Sequence, residues 1–283
     1  MFKYTLIALN LLTLFLTGCG DSNVPLAIEA GIDVVNAITI SDDTVQIMAR
    51  ESSAFADTQH SVAPSENEYA KRLKLLVGNH HQEGEFDFNY KVYLAKEVNA
   101  FAMADGTIRI YSGLMDMLND DELRFVIGHE MGHIALKHIH KKLQLAYGSS
   151  AVRKAIASIN STAGDIARSQ LGELVEVLIG AQFSQLEEKE ADDYGLIFMK
   201  NMGYDTTAAV SALQKISKLG NDHSFLSSHP APDKRAERLK LQIEGKTSGI
   251  EEQKEGIIND FKNLLSITYN KLLAIFLWAK SFF

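Results

Sequence analysis

The sequence is poor in cysteine, in basic charge and in long apolar runs. A single cysteine among 283 residues excludes an intrachain disulfide framework and any cysteine-rich zinc module. Lys and Arg number 28 against 36 Asp and Glu, a net charge of −8. Nucleic-acid binding calls for clustered Lys and Arg, so no nucleic-acid partner is expected. Apolar residues make up 46% and charged residues 23%. These ordinary globular proportions argue against disorder, a collagen-like repeat or a polytopic membrane protein. No internal repeat is present. There is chain enough for one substantial domain or two small ones around a hydrophobic core. Nine histidines are a modest excess, and their positions matter more than their number.

The chain opens with Lys3, a mostly apolar stretch from Thr5 to Leu16, and then Leu16-Thr17-Gly18-Cys19. A basic start, a short apolar run and small residues at its end have the order of a secretory signal. The run is too short to span a bilayer comfortably. Leu-Thr-Gly-Cys resembles the bacterial lipobox, which implies a signal peptide over residues 1–18 and lipidation of Cys19 as the first mature residue. The alternative is an uncleaved anchor with a chance cysteine. Several acyl chains hold a protein far more firmly than one, at roughly 0.8 kcal/mol per buried CH₂. Asp21, close behind Cys19, resembles the inner-membrane retention signal of enterobacterial lipoproteins. The expected location is therefore the periplasmic face of the inner membrane, with the outer membrane left open. Anionic headgroups repel an acidic body, so the lipid is expected to do the holding.

Residues 19–64 read as a lipid-anchored lead-in, helical over Ala27–Ile40 and Thr44–Ala56, with Ser41 a cap between them. Ser65 to Glu68 reads as a capping box opening a helix to about Val77. Phe86, Phe88, Tyr90, Val92 and Leu94 alternate with Asp87, Asn89, Lys91 and Tyr93, which predicts one strand. Strands near Val98–Met103 and Thr107–Tyr111 meet through Asp105-Gly106, a standard hairpin pair. Asn119 caps a helix whose first turn holds Asp120, Asp121 and Glu122, and which is predicted to reach about Leu145. The stretch Ser149–Gly180 is helical, weakened by Gly164 and Gly172. Further helices are predicted over Phe183–Met202, Thr206–Leu219 and Asp233–Ile243. A loop over Gly220–Pro232 carries His223, His229, Pro230 and Pro232.

Inside the helix from Asp120 lies Gly128-His129-Glu130-Met131-Gly132-His133. Histidines four apart share one helix face, one turn apart. Two neutral imidazoles so placed can bind one Zn²⁺ at ~2.0–2.1 Å each. Glu130, adjacent to the first ligand, can reach a water at the metal without ligating it and act as general base. Short motifs also occur by chance, but this one sits in a predicted helix that follows a hairpin. Glycine inside a helix is a cost, so Gly128 and Gly132 imply close packing there. A third ligand is needed, and Glu187, Glu188 and Glu190 are candidates that spacing cannot separate. Glu188 has Asp192 four residues on, a carboxylate able to accept from the free N–H of a ligating imidazole. The alternative is a solvated acidic face.

Asn99-Ala100-Phe101-Ala102, Gly113-Leu114, the His129–His133 motif, Glu188-Lys-Glu-Ala-Asp192, and His229-Pro230 with Arg235 together resemble the family of HExxH zinc metallopeptidases that includes HtpX, the CAAX prenyl proteases and the LoiP-like lipoproteins. Order and spacing match from about Glu68 to Gln242, and the lipobox points to the LoiP-like branch. The resemblance implies a gluzincin-type, mostly helical α+β fold. A small antiparallel sheet is expected beside the active-site helix, with the third zinc ligand on a later helix. It implies one Zn²⁺ per chain, Glu188 as ligand, Asp192 as the carboxylate behind a ligand, and roles near the site for His229 and Arg235. The peptidase domain is expected over residues 65–245.

His229 has three readings: a donor to the oxyanion at the scissile carbonyl, a fourth ligand that shuts the enzyme off, or a loop histidine stiffened by Pro230. Arg235 either orients Asp192 or meets the oxyanion. His138 and His140 lie further along the predicted motif helix, with His140 about 10 Å beyond His133 by helical rise. His60, His80, His81 and His223 are assigned no role. Asn99, Ala100 and Phe101 in one strand, or Thr107–Tyr111 in the other, form a candidate edge for a substrate backbone. Extended or misfolded envelope proteins are the expected substrates. Residues 246–283 end in a run, Leu272–Ala279, that is apolar throughout, contains Trp278 and is flanked by Lys271 and Lys280. It reads either as an interfacial membrane helix or as a helix docked on the domain or a partner. The rival to a peptidase is a non-catalytic, zinc-stabilised lipoprotein acting as chaperone or assembly factor. Nothing in the sequence fixes the oligomeric state.

Overall fold

A computed structural model describes residues 41–83, 86–145, 168–180, 182–220 and 223–246. The leader, Cys19, Asp21, the expected helix over 27–40, the segment 146–167 and the tail after 246 lie outside the described residues.

Helix α1 (Asp42–Gln59) starts on Ser41, whose hydroxyl accepts from the Thr44 amide, with Asp42 and Asp43 in the first turn. It buries Val45, Met48 and Ala49 in a core shared with Tyr93, Phe101, Met103, Tyr111, Leu174 and Phe183. Its end is clamped to the sheet. Asp57 accepts Arg109 Nε at 2.8 Å, Arg109 Nη2 at 3.0 Å, Lys91 Nζ at 2.7 Å and Tyr93 OH at 2.8 Å. Burial pushes the Asp57 carboxyl up, but these donors outweigh it and hold the pKa at about 2.

Helix α2 (Glu68–Val77) is capped by Asn67, whose side chain accepts from Tyr69 N. Ser65 is not the cap, because the chain makes a turn at Pro64, where Asn67 N bonds Pro64 O at 2.9 Å. The expected single strand over 86–94 divides at Phe88, whose amide turns to His81 O. Strand β1 (Gln82–Glu83) pairs antiparallel with β2 (Phe86–Asp87). Strand β3 (Asn89–Tyr93) joins β4 (Ala100–Ala102) and β5 (Thr107–Tyr111) in a sheet of order β3-β5-β4.

The sheet is small and lies beside the motif helix as expected, but it is mixed rather than antiparallel. β4 and β5 form the expected hairpin. The second strand of that hairpin, not the first, inserts beside β3, which makes β3 and β5 parallel. Thr107–Tyr111 is therefore the central strand, buried along its whole length, and offers no edge. Gly106 at the hairpin turn has φ +88°, and a Cβ there would fall 1.9 Å from Asp87 O; only glycine fits.

After α3 (Ser112–Met117), helix α4 (Asp120–Ala135) opens with a full capping box between Asn119 and Glu122. It ends ten residues earlier than the apolar pattern predicts. Lys137 takes φ +57°, and the chain turns a corner into α5 (His138–Leu145). Then come α6 (Arg168–Gly180), α7 (Gln185–Asn201), α8 (Thr207–Ile216), α9 (Ser224–Ser228) and α10 (Pro232–Ile243). Among the described residues no helix is long and apolar enough to cross a membrane.

Helix α4 is buried almost all round, from Glu122 to Ile134, and α7 lies against it. The two glycines make that approach possible. A Cβ on Gly128 would meet Phe198 Cδ1 at 2.9 Å and Gly195 Cα at 3.1 Å, and one on Gly132 would meet Tyr194 Cβ at 3.0 Å and Ala191 Cα at 3.1 Å. The close packing expected from glycine inside the helix is present, and it places the α7 carboxylates opposite the α4 histidines.

Candidate metal centre

His129 and His133 project from one face of α4, and their Nε2 atoms lie 3.0 Å apart. Glu188, in the first turn of α7, faces them. Its Oε1 is 3.3 Å from His133 Nε2 and its Oε2 is 3.7 Å from His129 Nε2. His229, just after α9, brings Nδ1 to 2.9 Å from Glu188 Oε1 and 3.3 Å from His129 Nε2. One donor atom from each of these four buried residues lies within 4.8 Å of the others. A set of imidazole nitrogens and one carboxylate is the donor chemistry of zinc and similar divalent ions.

The surroundings hold these donors in place. Asp192, one turn beyond Glu188, lies 3.0 Å from His129 Nδ1. Arg235 on α10 binds Asp192 through both Nε (2.9 Å) and Nη2 (2.6 Å), and its Nη1 reaches Glu188 Oε2. Arg235 is thus an orienting group for two carboxylates. Phe183 stacks on His133 with centroids 3.7 Å apart, and Phe225 stacks on His229. Lys142 Nζ sits over the Phe183 ring at 3.4 Å.

Charge follows from burial and pairing. Burial drives His133 well below its ordinary pKa, against the opposing pull of Glu188, so the imidazole is neutral and able to ligate. Burial pushes Glu188 and Asp192 up, but the Arg235 guanidinium, with the neighbouring histidines, holds both down, Asp192 at about 2. Arg235 itself is displaced downward by burial and further upward by those two carboxylates. Burial lowers Lys142 to about 8.

Glu130 differs from every other acid here. It is 1% exposed, and neither carboxylate oxygen has a hydrogen-bond partner. His229 Nε2 is its neighbour, at 3.7 Å from Oε1. A buried, unpartnered carboxylate is costly and calls for a reason.

Seven of the expected site residues therefore converge: His129, Glu130, His133, Glu188, Asp192, His229 and Arg235. Asn99, Ala100 and Phe101 are buried, at 6%, 1% and 5% exposure, in and just before the edge strand β4. Phe101 packs against Tyr93 and Tyr111, so any contact they make with a ligand is through main chain. Cys19 lies outside the described residues. Sequence reading missed His138, which it placed further along a continuous helix. The corner at Lys137 returns it to the site, with Nδ1 3.0 Å from His133 Nδ1. Glu190, read only as a possible ligand, instead meets His138 Nε2 at 3.1 Å. No sequence signal marks that corner, since neither glycine nor proline stands there.

A sequence model of peptidase family M48 matches residues 66–243. The chain is similar to Metalloprotease LoiP of Escherichia coli (strain K12), 42% identical over 240 residues that cover 83% of this chain and 94% of that protein. It is 36% identical to Metalloprotease YcaL of the same organism over 244 residues, covering 84% and 96%. A more distant relative, the beta-barrel assembly-enhancing protease of E. coli (strain K12), is 26% identical over 184 residues, which cover 61% of this chain and 38% of that protein.

Proposed function

The chain belongs to peptidase family M48 and is a metalloendopeptidase; from that premise we propose that it uses one zinc ion held by His129, His133 and Glu188, with Glu130 as general base. The observation that carries this reading is Glu130. Its two oxygens are buried without a hydrogen-bond partner, directly beside a cluster of four donors. The residues fit the ion: a neutral His133, a Glu188 kept anionic, and an Asp192 that remains an acceptor for His129.

When bound, zinc polarises the scissile carbonyl and acidifies water. The chain's own residues do the rest. Glu130, desolvated and without a hydrogen bond, is free to take a proton from the attacking water and pass it to the leaving amine. Asp192 fixes the His129 ring, and Arg235 fixes Asp192 and Glu188 together. His229 closes the donor set in the arrangement seen here. Its withdrawal leaves an imidazole within reach of the oxyanion that forms on the substrate. Both open readings of His229 thus describe one side chain in two positions.

The substrate reading rests on strand β4, an edge strand of the sheet. A polypeptide that adds to it pairs through main chain, which favours extended or misfolded segments over folded domains. The name of one relative, which speaks of beta-barrel assembly, fits clients with unpaired strands. Lipidation of Cys19 would tether the enzyme at the periplasmic face, with the inner membrane favoured by Asp21 and the apolar run Leu272–Ala279 a second contact.

A second reading has one observation in its favour: four protein donors is the count of a closed, structural zinc site. It leaves Glu130 without a task. Digestion of casein by the purified protein, with and without chelator, decides between them. Chelator-sensitive cleavage that is lost in Glu130→Gln while zinc is retained supports the peptidase. Equal cleavage by that variant would sink the general-base role.

A further inference from the structure

His129 and His133 both turn Nε2 inward to the donor cluster and Nδ1 outward. The outward partner of His129 is Asp192. That of His133 is another imidazole, His138, at 3.0 Å between the two Nδ1 atoms. Such a contact needs one protonated and one bare nitrogen. The other end of His138 decides which is which. Its Nε2 lies 3.1 Å from Glu190 Oε2, and an ionised carboxylate only accepts. His138 Nε2 therefore carries the proton, and the neutral ring has a bare Nδ1. His133 must then donate from Nδ1, which leaves the lone pair on Nε2 aimed at Glu188 and His129.

We infer that His138 and Glu190 form a second positioning arm, which fixes the tautomer and ring orientation of His133 as Asp192 does for His129. Both histidines are fully buried, at 0% exposure, so solvent does not stand in for the missing acceptor. The ring planes cross at 69° with centroids 5.1 Å apart, an edge contact suited to an in-plane N–H···N bond. Phe183, stacked on His133, holds the plane that this bond then locks in rotation. An indirect acceptor differs from a direct carboxylate in one respect: the proton preference passes through a ring, so Glu190 acts on His133 without touching it.

This arm rests on zinc being the ion at this centre, and the test separates the two claims. Zinc affinity of the full-length chain is measured by chelator competition, with metal-free unfolding followed by circular dichroism. His138→Leu keeps bulk and removes the acceptor, and zinc binding should weaken by about 10- to 100-fold. In His138→Asn a carbonyl oxygen stands close to the place of Nδ1, and most of the affinity should return. Glu190→Ala should give a smaller loss in the same direction. Native affinity in His138→Leu overturns the arm. So does an equal loss in the Leu and Asn variants, which would mark packing alone. Nitrogen-15 NMR of the zinc-loaded native chain needs no variant to fold: it should find the His133 proton on Nδ1, and a proton on Nε2 overturns the arm. A native chain that takes up no zinc removes the zinc assignment, and the arm with it.

Discussion

Among the described residues, the clamp at Asp57 and the donor centre at His129 are built to opposite rules. In the clamp between α1 and the sheet, both oxygens of Asp57 are used, each by Arg109 and by one further donor from Lys91 or Tyr93. At the centre between α4 and α7, three imidazoles and a carboxylate crowd together, and neither oxygen of Glu130 has a hydrogen-bond partner. A saturated cluster contributes rigidity, since every charge already has its counterpart. An unsaturated one is costly to bury and is kept for what it can bind or move. The contrast assigns stability to the first and chemistry to the second.

The sharpest way to break that division is to exchange the expected effects. Glu130→Gln should lower kcat on casein by about 10²- to 10⁴-fold and leave resistance to denaturant equal or slightly higher, because no hydrogen bond of the native carboxylate is lost. A destabilised Glu130→Gln would mean that its carboxylate holds structure after all. Asp57→Ala should do the reverse. It strands the buried Arg109 and should lower unfolding stability by about 3–5 kcal/mol, read from urea curves, with kcat of the folded fraction close to native. A loss below about 1 kcal/mol would place the clamp with ordinary surface pairs.

The same clamp should show in acid. The folded Asp57 pKa is depressed to about 2 from an ordinary 3.8. Its contribution is therefore complete above the unfolded value and is lost as pH falls from about 4 through 2. This loss is about 2 kcal/mol at its limit. Urea midpoints of native and Asp57→Asn chains between pH 5 and pH 2 should converge; parallel curves would count against it. The smallest effect expected comes from Asn119→Ala, which removes the cap of the motif helix at the end away from the centre. It should cost about 1 kcal/mol of stability and leave zinc affinity unchanged. A weakened zinc site would show that helix integrity, not the carboxylates behind the ligands, sets the geometry.

Much of the centre was legible because helical spacing is itself geometry. His129 and His133 share a face by period alone, and Glu188 and Asp192 repeat the rule on the facing helix. The glycines at 128 and 132 announced a close neighbour, although not which helix it would be. The direction of strand pairing was not legible, since alternation at Tyr90 and Val92 reports a buried face and is silent on partner or polarity. The hairpin was read from Asp105-Gly106, but its insertion beside β3 depends on the whole topology. His138 was lost for a related reason: local pattern continues through Leu136 and Lys137 as though the helix did.

That corner has a wider consequence. On an unbroken helix a residue five places after His133 would point roughly 140° away from it. The left-handed Lys137, at a strain of about 1–2 kcal/mol, converts a divergent offset into a convergent one. A histidine at this offset in any related chain is therefore ambiguous as written text: identical letters describe an ornament on the far side or a hand on the wrist, and only the bend between them tells which.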